Sequence, residues 1–285
     1  MSQITPFLWF DHQAEDAAQY YISVFGEGAV NQVVRQGDNV LVVNFLLHGQ
    51  SFSALNGGPR FAFNPSHSFY VICETEAEVD RVWEGLLQGG NVMMPLEEQP
   101  WSKKYGFLQD RYGLCWQIAQ GSLDETGQKF TPCMLFSGPQ SGKGADAVKR
   151  YTAIFPGSTI DGILYYVEGE GAPVGTVKHA QFKLHGDQTF MIMDNPMDAP
   201  YTFNEAVSYV VHCRDQAEVD YYWEKLTADG GEESMCGWLK DPFGVSWQII
   251  PEALPKLLGH PDPAVAQRAT QAMLQMRKIE LDKLT

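Results

Sequence analysis

The sequence predicts an α+β protein built from four βαβββ modules, two in each of two tandem copies, with a C-terminal amphipathic helix. Two observations lead to this fold class. A series of sequence blocks recurs in the same order along the chain, and each copy contains two cycles of strand, helix and further strand patterns. Residues 264–284 contain no glycine or proline and place apolar residues at helical spacing, which predicts the final helix.

The internal repeat is clearest at three blocks. Residues 21–26 (Tyr-Ile-Ser-Val-Phe-Gly) are matched by residues 151–157, and Leu47-His48-Gly49 returns as Leu184-His185-Gly186. Residues 110–118 are matched by residues 241–249, both ending in Trp-Gln-Ile. We therefore predict a first domain over residues 1–122, a second over residues 129–253 and a C-terminal helix over residues 262–285.

The elements of the first copy follow from periodicity and turn residues. Ile4–Phe10 alternates as a strand does, and Ala14–Phe25 has a helical apolar face that Gly26 terminates. A hairpin over Val40–Leu55 turns at His48-Gly49. The second cycle contains a strand at Phe69–Cys73, a helix at Ala77–Gln88 and short strands at Phe107–Leu108 and Leu114–Ala119.

Composition excludes some classes of function. The chain has 285 residues and a net charge of −15, from 35 acidic and 20 basic side chains, which opposes binding to nucleic acid. The first residues have neither a basic nor an apolar segment, so we expect no signal peptide and no membrane association. Five cysteines without a Cys-x-x-Cys pair predict a reduced, cytoplasmic protein.

The repeated pattern resembles a known superfamily. The βαβββ cycle and the Asp-Pro-Phe-Gly-Val-Ser-Trp-Gln-Ile ending at residues 241–249 resemble the glyoxalase (vicinal-oxygen-chelate) superfamily. Together with the Tyr-x-x-Val-Phe-Gly segment and the tail at residues 271–279, they look like the PhnB-like family, also named the 3-demethylubiquinone-9 3-methyltransferase domain. The resemblance implies two glyoxalase-like domains, each of paired βαβββ modules that enclose a cavity.

Metal-dependent members of the superfamily hold a divalent ion with His, His and Glu from three strands. The corresponding places in the first copy carry Thr5 or Pro6, His67 and Gln117. Those in the second copy carry Thr131 or Pro132, Val207 and Gln248. A neutral amide binds divalent ions far more weakly than a carboxylate does. We therefore expect no cofactor, and a divalent metal is the less favoured alternative.

The methyltransferase name implies a binding site for S-adenosylmethionine. A Rossmann-like enzyme of that kind needs a glycine-rich turn between its first strand and first helix. Residues 10–15 (Phe-Asp-His-Gln-Ala-Glu) contain no glycine at that point. The sequence therefore argues against methyltransferase activity.

Candidate cavity residues come from the last strand of each copy and from nearby loops. His67 has two interpretations of equal weight, as a cavity residue and as a structural histidine at a strand end. Trp116 and Trp247 adjoin the two glutamines and are expected to pack on the opposite face. Cys236 would need a neighbouring base such as His185 or His212 to act as a nucleophile. The candidates are His67, Trp101, Tyr105, Gln117, Cys236, Trp238 and Gln248.

Two functional hypotheses follow from these residues. The favoured one is a metal-independent protein that binds a small amphiphilic aromatic or apolar molecule. The alternative is a metal-dependent lyase, isomerase or dioxygenase with a degenerate site around His67. A third, that the second copy only supports oligomerisation, stays open because Val207 replaces His67 there. Both a monomer and a homodimer are compatible with the duplication.

Overall fold

The computed structural model describes residues 4–284, which form two compact units. The central unit comprises residues 7–207, and the terminal unit combines residues 4–6 with residues 208–284. In chain order the elements are β1 (Ile4–Phe10), α1 (Ala14–Phe25), β2 (Gly28–Gln36), β3 (Asn39–Leu47), β4 (Gln50–Asn56), β5 (His67–Cys73), α2 (Glu76–Leu87), β6 (Asn91–Gln99), β7 (Ser102–Gln109), β8 (Cys115–Gln120), β9 (Phe130–Phe136), α3 (Gly144–Ile154), β10 (Thr159–Tyr165), β11 (Val177–Leu184), β12 (Gln188–Asp194), β13 (Val207–Cys213), α4 (Gln216–Thr227), β14 (Glu232–Glu233), β15 (Trp238–Lys240), β16 (Ser246–Pro251), α5 (Ala253–Leu258) and α6 (Pro263–Leu274).

The ends of these elements follow from local chemistry. Helix α1 ends at Gly26, whose φ of +82° suits glycine and whose N–H donates to the carbonyl of Ile22. Helix α2 begins after Thr75, whose side chain accepts from the N–H of Glu78. The hairpin between β3 and β4 turns at His48 and Gly49, both at positive φ, as a tight two-residue turn requires.

An eight-stranded sheet lies wholly within the central unit. Its strand order is β10-β11-β12-β9-β5-β8-β7-β6. Strands β5–β8 are the second module of the first copy, and β9–β12 are the first module of the second copy. The two halves join where β5 pairs antiparallel with β9, with Ser68 opposite Cys133. The modules that share this sheet therefore come from different copies.

The remaining strands form two further rows. In the central unit, β1 from Phe7 onward pairs in parallel with β4, and the order continues to β3 and β2. In the terminal unit, the order is β14-β15-β16-β13, followed by the first residues of β1. A hydrogen bond of 3.0 Å between Thr5 Oγ1 and His212 Nε2 joins β1 to β13 there.

An aromatic core packs against one face of the central eight-stranded sheet. The Phe25 ring lies 4.8 Å from that of Phe130 and 5.2 Å from that of Trp116, measured between centroids. Phe69 on β5 contacts Phe52 and Trp116 at 5.4 Å each. All five rings are almost completely buried. Aromatic pairs with these separations add to the hydrophobic stabilisation of burial itself.

The C-terminal helix is shorter than the predicted span of residues 262–285. Helix α6 ends at Leu274, and the chain continues in extended and turn conformations, with a 3-10 turn at Leu281–Lys283. The N–H groups of Cys236 and Gly237 donate to the carbonyls of Met276 and Arg277, at 2.8 and 2.7 Å. These carbonyls are therefore bound by a loop of the terminal unit instead of continuing a helix.

The tail packs on the body of the terminal unit. Ile279 is fully buried, and Lys278 Nζ lies 2.6 Å from Asp220 on α4. Among the helices of residues 4–284, none is long and apolar enough to cross a membrane.

Candidate functional site

The two faces of the central eight-stranded sheet differ in chemistry. Side chains alternate between faces along each strand, and register partners share a face. The core face, which packs against the aromatic core, carries Phe69, Trp116, Phe130, Met134 and Phe182. The opposite face, here called the polar face, carries Ser68, Tyr70, Tyr105, Phe107, Gln117, Thr131, Cys133, Leu135, His179, Gln181, Lys183, Thr189, Met191 and Met193.

A hydrogen-bonded cluster lies at the centre of the polar face. The hydroxyl of Tyr105 donates to Gln117 Oε1 at 2.8 Å, and Gln117 Nε2 donates to Ser68 Oγ at 2.8 Å. Cys133 is the register partner of Ser68 on β9. We call Ser68, Tyr105, Gln117 and Cys133 the neutral cluster. Every member is buried, with at most 7% of its surface exposed.

The neutral cluster holds no charge at neutral pH. Burial raises the pKa of the Cys133 thiol to about 12, and hydrogen bonds from Gln117 and Ser68 offset only part of this effect. Burial likewise raises the pKa of the Tyr105 hydroxyl far above its ordinary value. The pKa of Tyr70 is raised by burial and by the carboxylate of Glu125. The cluster contains hydroxyl, amide and thiol groups but no thiolate or phenolate.

Apolar side chains surround the neutral cluster. Met191 is the register partner of Cys133 on β12, and Phe107 is that of Gln117 on β7. Phe107, Leu135 and Met193 are partly exposed, whereas Met191 is buried. We call Phe107, Leu135, Met191 and Met193 the apolar strip. A small number of polar groups within an apolar lining is typical of small-molecule sites.

The segment that joins the two copies, residues 122–128, covers one end of the polar face. The hydroxyl of Thr189 donates to the carbonyl of Thr126 at 2.6 Å, and Gln181 Nε2 donates to the carbonyl of Glu125 at 3.1 Å. Thr131 and Thr189 are completely buried beneath this segment. This segment therefore covers the end of the polar face at Thr131 and Thr189.

His67 and Gln117, both cavity candidates from the sequence, lie on opposite faces of the sheet. His67 occupies the core-face register of β5, opposite Met134 on β9. Its ring centroid lies 5.0 Å from that of Phe203, and burial lowers its pKa to about 3. Trp101 is 58% exposed in the turn between β6 and β7, and its ring contacts that of Tyr105 at 5.5 Å. The structure thus groups Trp101, Tyr105 and Gln117, and it separates His67 from them.

The terminal unit brings together the candidates of the second copy. Gln248 Nε2 donates to Ser208 Oγ at 3.0 Å, repeating the pair of Gln117 and Ser68. Trp238 is the register partner of Gln248. Cys236 has a φ of +59°, and burial raises the pKa of its thiol, which favours the protonated form. His212 is bonded to Thr5 instead.

A family model for 3-demethylubiquinone-9 3-methyltransferase matches residues 2–119 and again residues 128–250. The chain belongs to this family. The two matches confirm the tandem duplication that the recurring blocks predicted. A search of curated proteins gives no match.

Two solved structures are similar to this chain to different extents. A putative 3-demethylubiquinone-9 3-methyltransferase, PhnB protein, from Bacillus cereus is 38% identical, with 41% of this chain and 98% of that chain covered and a TM-score of 0.40. Glyoxalase I from Zea mays is 10% identical, with 92% and 98% covered and a TM-score of 0.61. The second likeness extends over both copies, and it confirms the glyoxalase-like α+β fold.

The superfamily resemblance implied a possible metal site, which would need suitable donor side chains on the polar face. The polar face offers an amide, hydroxyls, a thiol and thioethers around its centre, and carboxylates at Asp161, which accepts from Gln181 Nε2 at 3.1 Å, and at Glu97, the register partner of Tyr105. Hard divalent ions prefer carboxylate and other oxygen ligands. Within residues 4–284, no group of three or more His, Cys, Asp or Glu side chains is placed to hold a metal. The donor set therefore does not fit such an ion.

Several residues of the polar face were not among the candidates from the sequence. Ser68, Cys133 and Met191 surround Gln117, and His179 lies on the same face along β11. The recurrence of Ser68 as Ser208, at the same spacing from the recurring glutamine, was a usable signal. Cys133 and His179 gave no such signal, because the first copy carries Phe7 and Val42 at the matching places.

Proposed function

We propose that this chain is a metal-independent protein that binds a small, uncharged, amphiphilic aromatic molecule on the polar face. The observation that carries the proposal is the neutral cluster set within the apolar strip. The cluster supplies hydrogen bonds that fix orientation, and the strip supplies surface for an apolar body. The absence of charge in the cluster favours an uncharged ligand, because an ion there would be desolvated without a partner.

The alternative, a metal-dependent enzyme around His67, receives less support. His67 points to the core face and Gln117 to the polar face, so one ion cannot contact both. Methyl transfer is also less favoured, because the turn between β1 and α1 (residues 11–13, Asp-His-Gln) lacks the glycines that a nucleotide-binding turn needs.

We further propose a cytoplasmic location, without partners among nucleic acids or membranes, as a monomer or a homodimer. All five cysteines are free, and Cys236 is the one that is not buried. Free thiols suit a reducing compartment. The net charge of −15 opposes association with nucleic acid.

Binding to metal-free protein tests the proposed function. After dialysis against a chelator, we expect 2-naphthol, an uncharged aromatic probe, to bind with a Kd unchanged by the treatment, as measured by isothermal titration calorimetry. Met193→Lys introduces an ammonium group into the half-exposed part of the apolar strip and should weaken binding about tenfold, because desolvating that charge opposes ligand entry.

Met197→Lys is the matched control for this substitution. Met197 is 72% exposed and lies in the loop after β12, outside the polar face. This variant should bind 2-naphthol as the unmodified protein does. The proposed function would be wrong if 2-naphthol and related uncharged aromatics fail to bind, or if their binding requires added metal.

A further inference from the structure

One titratable side chain of the polar face belongs to no interaction described so far. His179 lies on β11, in register with Leu164 on β10. Continuing the register of β11 and β12 places Met193 on its other side. Its side chain therefore borders the apolar strip. Gln117 on β8 lies across the strip from it, because β12, β9 and β5 separate β11 from β8.

The ring of His179 is half-buried and has no polar partner. Within residues 4–284, its nitrogens make no hydrogen bond and no ion pair with the protein. Its neighbours in register, Leu164 and Met193, are apolar, and this burial lowers the pKa of His179 below its ordinary value. The ring is therefore neutral at neutral pH and offers one N–H donor and one nitrogen acceptor.

The fold does not require a histidine at this place. Aligning Leu184-His185-Gly186 with Leu47-His48-Gly49 matches His179 to Val42 on β3. Val42 is likewise partly exposed on an inner strand of its own row. The repeat thus accepts an apolar residue in the same structural environment. A partly desolvated imidazole has an energetic cost that valine avoids, which points to a role outside folding.

We propose that His179 contacts the ligand and determines specificity by hydrogen bonding to a hydroxyl group of an aromatic ligand. This inference rests on the proposed function. A hydroxyl group both donates and accepts, so it pairs with either neutral tautomer of the imidazole. The adjacent apolar strip contacts the aromatic body. The ligand class is therefore an uncharged aromatic alcohol or phenol.

Two probes that differ only at the hydroxyl group measure its contribution to binding. 2-Naphthol carries it, and 2-methoxynaphthalene replaces its hydrogen with a methyl group. By calorimetry at pH 7.5, we expect the unmodified protein to prefer 2-naphthol about tenfold, the effect of one net hydrogen bond. In His179→Val, which installs the residue of the first copy, the two probes should bind within about twofold of each other.

Two further variants sharpen the test. His179→Gln keeps a donor and an acceptor and should restore part of the preference for 2-naphthol. His12→Val makes the same change at an exposed histidine outside the polar face and should leave the preference intact. Circular dichroism and thermal unfolding establish that each variant is folded.

The outcomes separate the two proposals. If both probes bind the unmodified protein equally, or if His179→Val keeps the tenfold preference, His179 does not recognise the hydroxyl group and this inference is overturned, while the proposed function stands. If neither probe binds the unmodified protein, the proposed function itself fails.

Discussion

Replacing Asp110 with alanine should lower the free energy of unfolding by about 3–5 kcal/mol, because it leaves a group of buried donors without an acceptor. Asp110 Oδ2 accepts from the Tyr21 hydroxyl and from Trp116 Nε1, each at 2.8 Å. Its Oδ1 accepts from the N–H groups of Tyr112 and Leu114. One buried carboxylate thus joins helix α1, strand β8 and the turn between β7 and β8.

Urea unfolding at pH 7 measures this loss, and graded variants test its cause. Tyr21→Phe removes one donor and should cost about 1 kcal/mol. Asp38→Ala removes an exposed carboxylate and should change stability by less than about 0.5 kcal/mol. The second copy repeats the arrangement, since Asp241 accepts from Trp247 Nε1 at 2.9 Å. A cost for Asp110→Ala no larger than that for Asp38→Ala would contradict this account.

Acid should destabilise the protein through His67. Burial lowers the pKa of His67 to about 3, whereas an unfolded chain has a histidine pKa near 6.5. Between these values the unfolded state binds a proton that the folded state does not. The free energy of unfolding therefore falls as pH falls below 6.5, by about 1.4 kcal/mol per pH unit for this group.

The second copy carries Val207 at the position that matches His67. The substitution His67→Val should therefore remove the contribution of this histidine to the pH dependence of stability. Between pH 7 and pH 5, the unmodified protein should lose about 2 kcal/mol more than the variant does. Urea midpoints at the two pH values give this difference. The contributions of the other histidines to the free energy of unfolding are the same in both proteins and cancel. The variant should bind 2-naphthol normally, because His67 lies on the core face. Equal pH dependence in the two proteins would refute the buried, neutral state of His67.

The internal sequence repeat made the fold predictable, but two strands at sheet edges were not predicted. Strands β2 and β6 lie at the ends of their rows, and most of their side chains are exposed. A strand that buries neither face lacks the apolar alternation by which strands are recognised. The end of α6 was also unpredictable, because it depends on the amides of Cys236 and Gly237, which are distant in sequence.

The sequence predicts which neighbouring residues lie on opposite faces of a strand, because side chains alternate along it. It does not predict which residues of different strands share a face, because that depends on how the strands pair. Gln117 and Trp116 occupy opposite faces as adjacent residues must. The separation of His67 from Gln117 depends instead on the register in which β5 pairs with β8, with Tyr70 opposite Gln117. The sequence does not contain that register in any local pattern. His179 enters the same face only because β9 joins the two modules.

The most direct test of ligand binding on the polar face uses the methionine methyl groups as reporters. Met191 and Met193 lie on the polar face of β12, whereas Met134 lies on the core face of β9. In ¹³C-methyl NMR spectra of metal-free protein titrated with 2-naphthol, we predict that the Met191 and Met193 resonances shift in a saturable manner. Met134, and the exposed Met197, should not shift. Shifts confined to Met134 or Met197, with Met191 and Met193 unchanged, would contradict the proposed site.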